Sequence, residues 1–255
     1  MPNNNILTIE NLSKSFDGIQ AVNNCTFNVS NGSITGLIGP NGAGKTTVFN
    51  LITGFLPPDN GTVSFQENRI DKNPTHNIFK KGLVRTFQIP RELKKMTVLE
   101  NLLVVPKDQI GEHIWSTIFS FRKIQKQEEI NINKARDILE FIRLNHLSNE
   151  YAGNLSTGQK KLLELARTLM SDPSLVLLDE PVAGVNPTLV NDLMDNIRRS
   201  NEELGITFLI IEHNMNFIMN LCDPIIVLSN GAKIAEGTAE EIKSDQSVVN
   251  AYLGG

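Results

Sequence analysis

One octapeptide limits what this chain can fold into more than any other feature: Gly39-Pro40-Asn41-Gly42-Ala43-Gly44-Lys45-Thr46. The spacing Gly-x4-Gly-Lys-Thr is a phosphate-binding loop when a strand precedes it and a helix follows. Both flanks can be read here. Ile34-Thr35-Gly36-Leu37-Ile38 is a short apolar strand, and the stretch from Thr47 to Ile52 predicts a helix ending near Gly54, with Pro57-Pro58 beyond it. Glycines let backbone N–H groups converge on phosphate oxygens, and the helix N-terminus adds a favourable partial charge. Lys45 is placed to reach the β- and γ-phosphates of ATP, and the Thr46 hydroxyl to bind Mg2+; Gly39 through Thr47 form the candidate nucleotide-binding segment.

A second segment completes such a site. Leu175-Val176-Leu177-Leu178 is a continuous apolar run, as expected of a central strand covered on both faces, and it delivers Asp179 and Glu180 at its end. Open α/β sheets place ligands at the C-terminal ends of their strands. Asp179 suits Mg2+, held directly or through water, and Glu180 suits a general base that polarises the attacking water. Ile206 to Ile211 and Pro224 to Leu228 read as further core strands. Leu7 to Leu12, Ala21 to Val29 and Gly61 to Phe65 alternate as half-buried strands separated by turn signals such as Asp17-Gly18 and Asn31-Gly32. From about residue 90 to 160 the pattern turns helical, with a helix over Thr97–Val104 and a charged one from Lys123 to Asn145 that carries Ile130, Ala135, Ile138, Leu139 and Ile142 on one face.

A third segment separates one group of phosphate-loop ATPases from the rest. Leu155-Ser156-Thr157-Gly158-Gln159, followed by a helix from Lys160 to Met170, resembles the signature of ABC transporter ATP-binding subunits, usually Leu-Ser-Gly-Gly-Gln. Thr157 is a departure, adding a Cβ where glycine is usual. The resemblance covers essentially the whole chain. It implies an α/β fold: a phosphate-loop ABC cassette over residues 6–253, with a RecA-like core, an N-terminal antiparallel β subdomain and an inserted α-helical subdomain. It further implies that Ser156, Gly158 and Gln159 meet the nucleotide bound by an opposing subunit, and that Gln88 touches Mg2+ and water. His213 takes the place of the histidine that contacts the γ-phosphate, and Phe16 is placed to stack on adenine, although it also suits a core aromatic. Ala183-Gly184-Val185-Asn186 fills a loop that normally ends in Asp.

Within the family, Arg85-Thr86-Phe87-Gln88, Met96 to Val104, Asp179 to Pro187, Ile211 to Met215, the stretch from Pro106 to Asn131 and the closing Ala251-Tyr252-Leu253-Gly254 look like the branched-chain amino acid importer ATPases. Such a subunit pairs with a second ABC ATPase beneath two transmembrane permease subunits, served by an external solute-binding protein, at the cytoplasmic face of a prokaryotic plasma membrane. A urea or amide importer of the same branch, a lipopolysaccharide-export ATPase, a soluble non-transport ABC ATPase and a non-hydrolysing nucleotide-binding module are the alternatives.

Composition sets outer bounds. The 255 residues, 40% hydrophobic and 20% charged, suit one large α/β domain with a smaller lobe. No apolar run approaches the roughly 18–20 residues that span a bilayer, and Met-Pro-Asn-Asn-Asn does not read as a signal peptide, so membrane contact is expected through a partner. A net charge of −4 argues against a nucleic-acid partner. Cys25 and Cys222 have no metal or redox spacing and read as buried fillers. The aromatic cluster Trp115, Phe119 and Phe121 is either core or a docking surface.

Overall fold

The computed structural model describes residues 4–86, 92–106 and 121–253. The chain divides into two units. One comprises Met1–Gln88, Ser174–Ala183 and Ile197–Gly255; the other comprises Ile89–Pro173 and Gly184–Asn196.

The first unit holds two sheets. Strands β1 (Asn5–Phe16) and β2 (Ile19–Ser30) form a hairpin across Asp17-Gly18, whose φ angles of 47° and 85° give the tight turn. The second sheet begins with β3 (Ile34–Ile38), and β4 (Asn60–Phe65) and β5 (Asn68–Arg69) complete the first, ordered β2-β1-β4-β5 and antiparallel throughout. Alternation dictates this sheet: Cys25, Phe27 and Val29 on β2 are buried while the residues between them are exposed.

Strands β6 (Leu83–Arg85), β7 (Leu175–Asp179), β8 (Thr207–Ile211), β9 (Ile225–Ser229) and β10 (Ala232–Gly237) extend the second sheet in the order β10-β9-β3-β8-β7-β6. Every pairing in it is parallel except β9 with β10. β3, β7 and β8 are buried at every position, which is why their sequences are nearly unbroken apolar runs. Parallel strands end on the same edge, so the segments following β3, β8, β7 and β6 emerge side by side. That order brings together the phosphate loop, His213, Asp179-Glu180 and Arg85-Thr86.

Among the described residues the α-helices are α1 (Lys45–Ile52), α2 (Thr75–Lys80), α3 (Val98–Leu103), α4 (Phe121–Phe141), α5 (Thr157–Met170), α6 (Pro187–Leu204), α7 (Met215–Leu221), α8 (Ala239–Ser244) and α9 (Gln246–Leu253). α1 buries Val48, Phe49, Leu51 and Ile52 in a core shared with β1, β2, β3 and β7. None of the helices among the described residues is long and apolar enough to cross a membrane.

Two expectations shift. α4 ends at Phe141, not Asn145, because Arg143 turns left-handed (φ 63°) and the Leu144 N–H donates to Leu139 O at 2.8 Å, a left-handed helix stop. Its buried face is Ala135, Leu139 and Ile142, whereas Ile130 is 57% exposed. Five residues before Ala135 is about 140° around a helix from it, so Ile130 cannot share that stripe. Likewise α5 starts at Thr157, three residues before the expected Lys160, since Ser156 caps it.

Candidate active site

The phosphate loop leaves β3 and enters α1 through Gly44, whose φ of 95° is left-handed. A Cβ there would lie 2.4 Å from Ala21 O, so only glycine fits. Lys45 is buried and folds over the loop, its Nζ donating to Gly39 O at 2.8 Å and Pro40 O at 3.0 Å. Burial pulls the Lys45 pKa below its ordinary value, while the nearby carboxylates of Glu180 and Asp179 push it back up. Asn41, Gly42 and Thr46 are exposed on the outer side of the loop, with Ala43 buried beneath. The loop is braced from the C-terminal part of the chain, where Gly231 N–H donates to Ala43 O at 3.1 Å.

The carboxylates are fixed by different means. Asp179 ends β7 with its Oδ2 2.7 Å from Arg85 Nη2, and its own N–H donates to Thr86 Oγ1 at 3.4 Å. Arg85 Nη1 also donates to Asn50 Oδ1 on α1 at 2.6 Å, and the guanidinium lies 5.5 Å from the Phe49 ring. Glu180 has a φ of 49°, a conformation non-glycine residues adopt rarely and mostly where neighbours impose it. Its N–H is held by Ile211 O at 2.9 Å, and its Oε1 stands 3.4 Å from His213 Nε2. His213 is set in turn by Glu212, whose carboxylate accepts from three backbone amides: Val182 at 2.9 Å, His213 at 2.8 Å and Asn214 at 3.0 Å.

In the second unit, Ser156 and Gln159 form a capping box. Gln159 N–H donates to Ser156 Oγ at 3.3 Å, and Ser156 N–H donates to Gln159 Oε1 at 2.9 Å. Thr157 is the first residue of α5, exposed and with no left-handed backbone, so its extra Cβ is accommodated. Gly158 is different: a Cβ would stand 2.3 Å from Leu189 Cδ1 on α6. Asn186 accepts from Leu189 N–H at 3.0 Å and caps α6 ahead of Pro187, a role Asn and Asp fill equally well.

Comparison with known proteins decides what this arrangement belongs to. The family model "ABC transporter" matches residues 22–183, and "Branched-chain amino acid ATP-binding cassette transporter" matches residues 232–255. The chain belongs to the ABC transporter ATP-binding family. Among curated relatives, a probable branched-chain amino acid transport ATP-binding protein LivG of Archaeoglobus fulgidus is 48% identical over 249 residues, covering 98% of this chain and 95% of that protein. The high-affinity branched-chain amino acid transport ATP-binding protein LivG of Escherichia coli is 38% identical, covering 98% of both. Among solved structures, the ADP conformation of MJ1267, an ATP-binding cassette of an ABC transporter, superposes with a TM-score of 0.84 at 42% identity, covering 98% of this chain and 99% of that one. As a member of this family the chain is an ATPase that binds adenine nucleotide.

For this ABC ATPase, the donor set suits Mg2+. Asp179 and the Thr46 hydroxyl are hard oxygen donors, and a magnesium site commonly uses one or two carboxylates together with substrate phosphates. Phe16, 42% exposed at the end of β1, has an open face, with Lys14 Nζ 5.8 Å from its ring centre. Gln88 lies outside the described residues, as do the side chains of Trp115, Phe119 and Phe121. Both thiols are buried, and burial pushes Cys25 up to about 11 and Cys222 up to about 12, which keeps them protonated and inert. The sequence reading missed Arg85 and Glu212 as site residues. Each adjoins a motif residue, and the available signal was a charged side chain at the end of an otherwise apolar strand, a place where burial demands a partner.

Proposed function

We propose that this ABC ATPase is the motor subunit of a branched-chain amino acid importer. The observation that carries the reading is likeness over 98% of the chain to branched-chain amino acid transport ATPases, extending into the C-terminal segment 232–255. Two cassettes close head to tail on two ATP molecules beneath two permease subunits, at the inner face of a prokaryotic plasma membrane. An external binding protein delivers the solute.

Each residue then has a task. Gly39 through Thr47 wrap the phosphates, Lys45 exchanging its loop carbonyls for phosphate oxygens. Phe16 stacks on adenine. Thr46, Asp179 and Gln88 would hold Mg2+, which would supply neutralisation of phosphate charge. Glu180 accepts the proton of the attacking water, and His213, 3.4 Å from it, is set to contact the γ-phosphate. Ser156, Gly158 and Gln159 complete the site of the opposing subunit, where the amino end of α5 meets the γ-phosphate. Uptake of labelled leucine, isoleucine and valine into proteoliposomes holding the permeases tests the reading. ATP-dependent uptake that requires this chain is expected; uptake of urea alone would move the assignment to the amide branch.

A further inference from the structure

The mechanism above uses Asp179 but not the residue that grips it. The Arg85–Asp179 pair is buried, with side-chain exposures of 7% and 9%. The Arg85 fork has one nitrogen on the Asp179 carboxylate at 2.7 Å and another on Asn50 at 2.6 Å, while Phe49 flanks the guanidinium. Asn50 and Phe49 both lie on α1, the helix that the phosphate loop opens. One planar side chain thus ties the strand that ends in the metal carboxylate to the helix that carries the nucleotide.

From this geometry we infer that Arg85 is a positioning residue: it fixes the Asp179 carboxylate by one oxygen, in register with α1, so that the other is presented to Mg2+ when Mg·ATP binds. The inference rests on the assignment of Asp179 to the metal. Arginine is the residue such a bridge needs. Its guanidinium offers several N–H donors in a rigid plane and stays charged, whereas a lysine ammonium is a point charge on a flexible stem that cannot hold both acceptors in fixed geometry. Positioning and plain electrostatics make opposite predictions. If Arg85 acted only as a nearby positive charge, it would repel the cation, and removing it would tighten metal binding. If it positions Asp179, losing the fork weakens metal binding even where the charge is kept.

The experiment measures Mn2+ binding by electron paramagnetic resonance in the presence of AMP-PNP, on the purified full chain. Variants are Arg85→Lys, Arg85→Gln and Asn50→Ala, each also assayed for metal-free nucleotide affinity and for kcat and KM. Arg85→Lys and Arg85→Gln are expected to raise half-saturating Mn2+ about tenfold, with metal-free nucleotide affinity within twofold of the parent and kcat falling more than KM rises. Asn50→Ala leaves the buried charges paired and is expected to shift Mn2+ binding in the same direction, which serves the test if the arginine variants do not fold. Half-saturation in Arg85→Lys and Asn50→Ala that is unchanged, or tighter, overturns the inference. Asp179→Asn separates the two levels. If it too leaves Mn2+ binding unmoved, the metal assignment itself fails; if it weakens binding while the other variants do not, only the role of Arg85 fails.

Discussion

At the scale of single residues, the site relies on side chains whose geometry is set by neighbours rather than by their own freedom. Glu180 is the sharpest case, since its left-handed backbone and the amide bond to Ile211 O aim the carboxylate toward His213. Glu180→Gln keeps the shape and removes the proposed base. Hydrolysis is expected to fall by at least about two orders of magnitude, in line with the loss of a general base, while a fluorescent ATP analogue still binds. Turnover within a few-fold of the parent would contradict the assigned role. Lys45, Asp179 and Glu180 were named from the sequence because spacing and a strand end mark them, and His213 because the family resemblance implied it. Arg85 and Glu212 were not, because their tasks depend on which buried groups the fold sets against them: Asn50 is distant in sequence from Asp179, and Val182 from Glu212.

At the scale of elements, the legible signals were periods and caps, and the errors lay at element ends. Apolar runs located β3, β7 and β8, whereas α5 began earlier than its apolar spacing implied because Ser156 and Gln159 close its first turn. Ser156 thus caps α5, and under the proposed function it has a second, separable duty at the phosphate of the opposing subunit. Ser156→Ala is expected to cost about 1 kcal/mol in urea unfolding, the usual loss for an N-cap, and also to lower hydrolysis. Ser156→Asp restores the cap, so stability returns, but sets a carboxylate against the γ-phosphate, so hydrolysis stays low; recovery of both would remove the phosphate contact from the account. Just beyond β5 the Asp71 carboxylate is buried, which pushes its pKa up. Bonds from the Arg69 guanidinium and the Val63 amide outweigh that and hold it below the ordinary aspartate value. A carboxylate depressed by folding contributes stability that is full above its unfolded pKa and lost as pH falls through the folded one. Urea midpoints should therefore be flat from pH 7 to 5 and fall below about pH 4, less steeply in Asp71→Asn. An equally steep fall in that variant would assign the acid sensitivity elsewhere.

At the scale of the whole molecule, the strand order β10-β9-β3-β8-β7-β6 turns segments far apart in sequence into one site, because β8 separates β3 from β7 and all three end on one edge. That order was not readable from the sequence, in which β3 precedes β7 and β8 follows it; the family resemblance implied a RecA-like core and no strand order. The Gly231 contact adds that the turn between β9 and β10 steadies the phosphate loop. The central claim is that hydrolysis here serves transport, and steady-state ATP turnover tests it most directly. It is measured on the purified chain alone, then with its partner ATPase and permeases in lipid, then with the binding protein and a branched-chain amino acid. The account predicts weak turnover alone, a rise with the permeases and a further rise with the loaded binding protein. Full turnover by the isolated chain, unmoved by either addition, would contradict it.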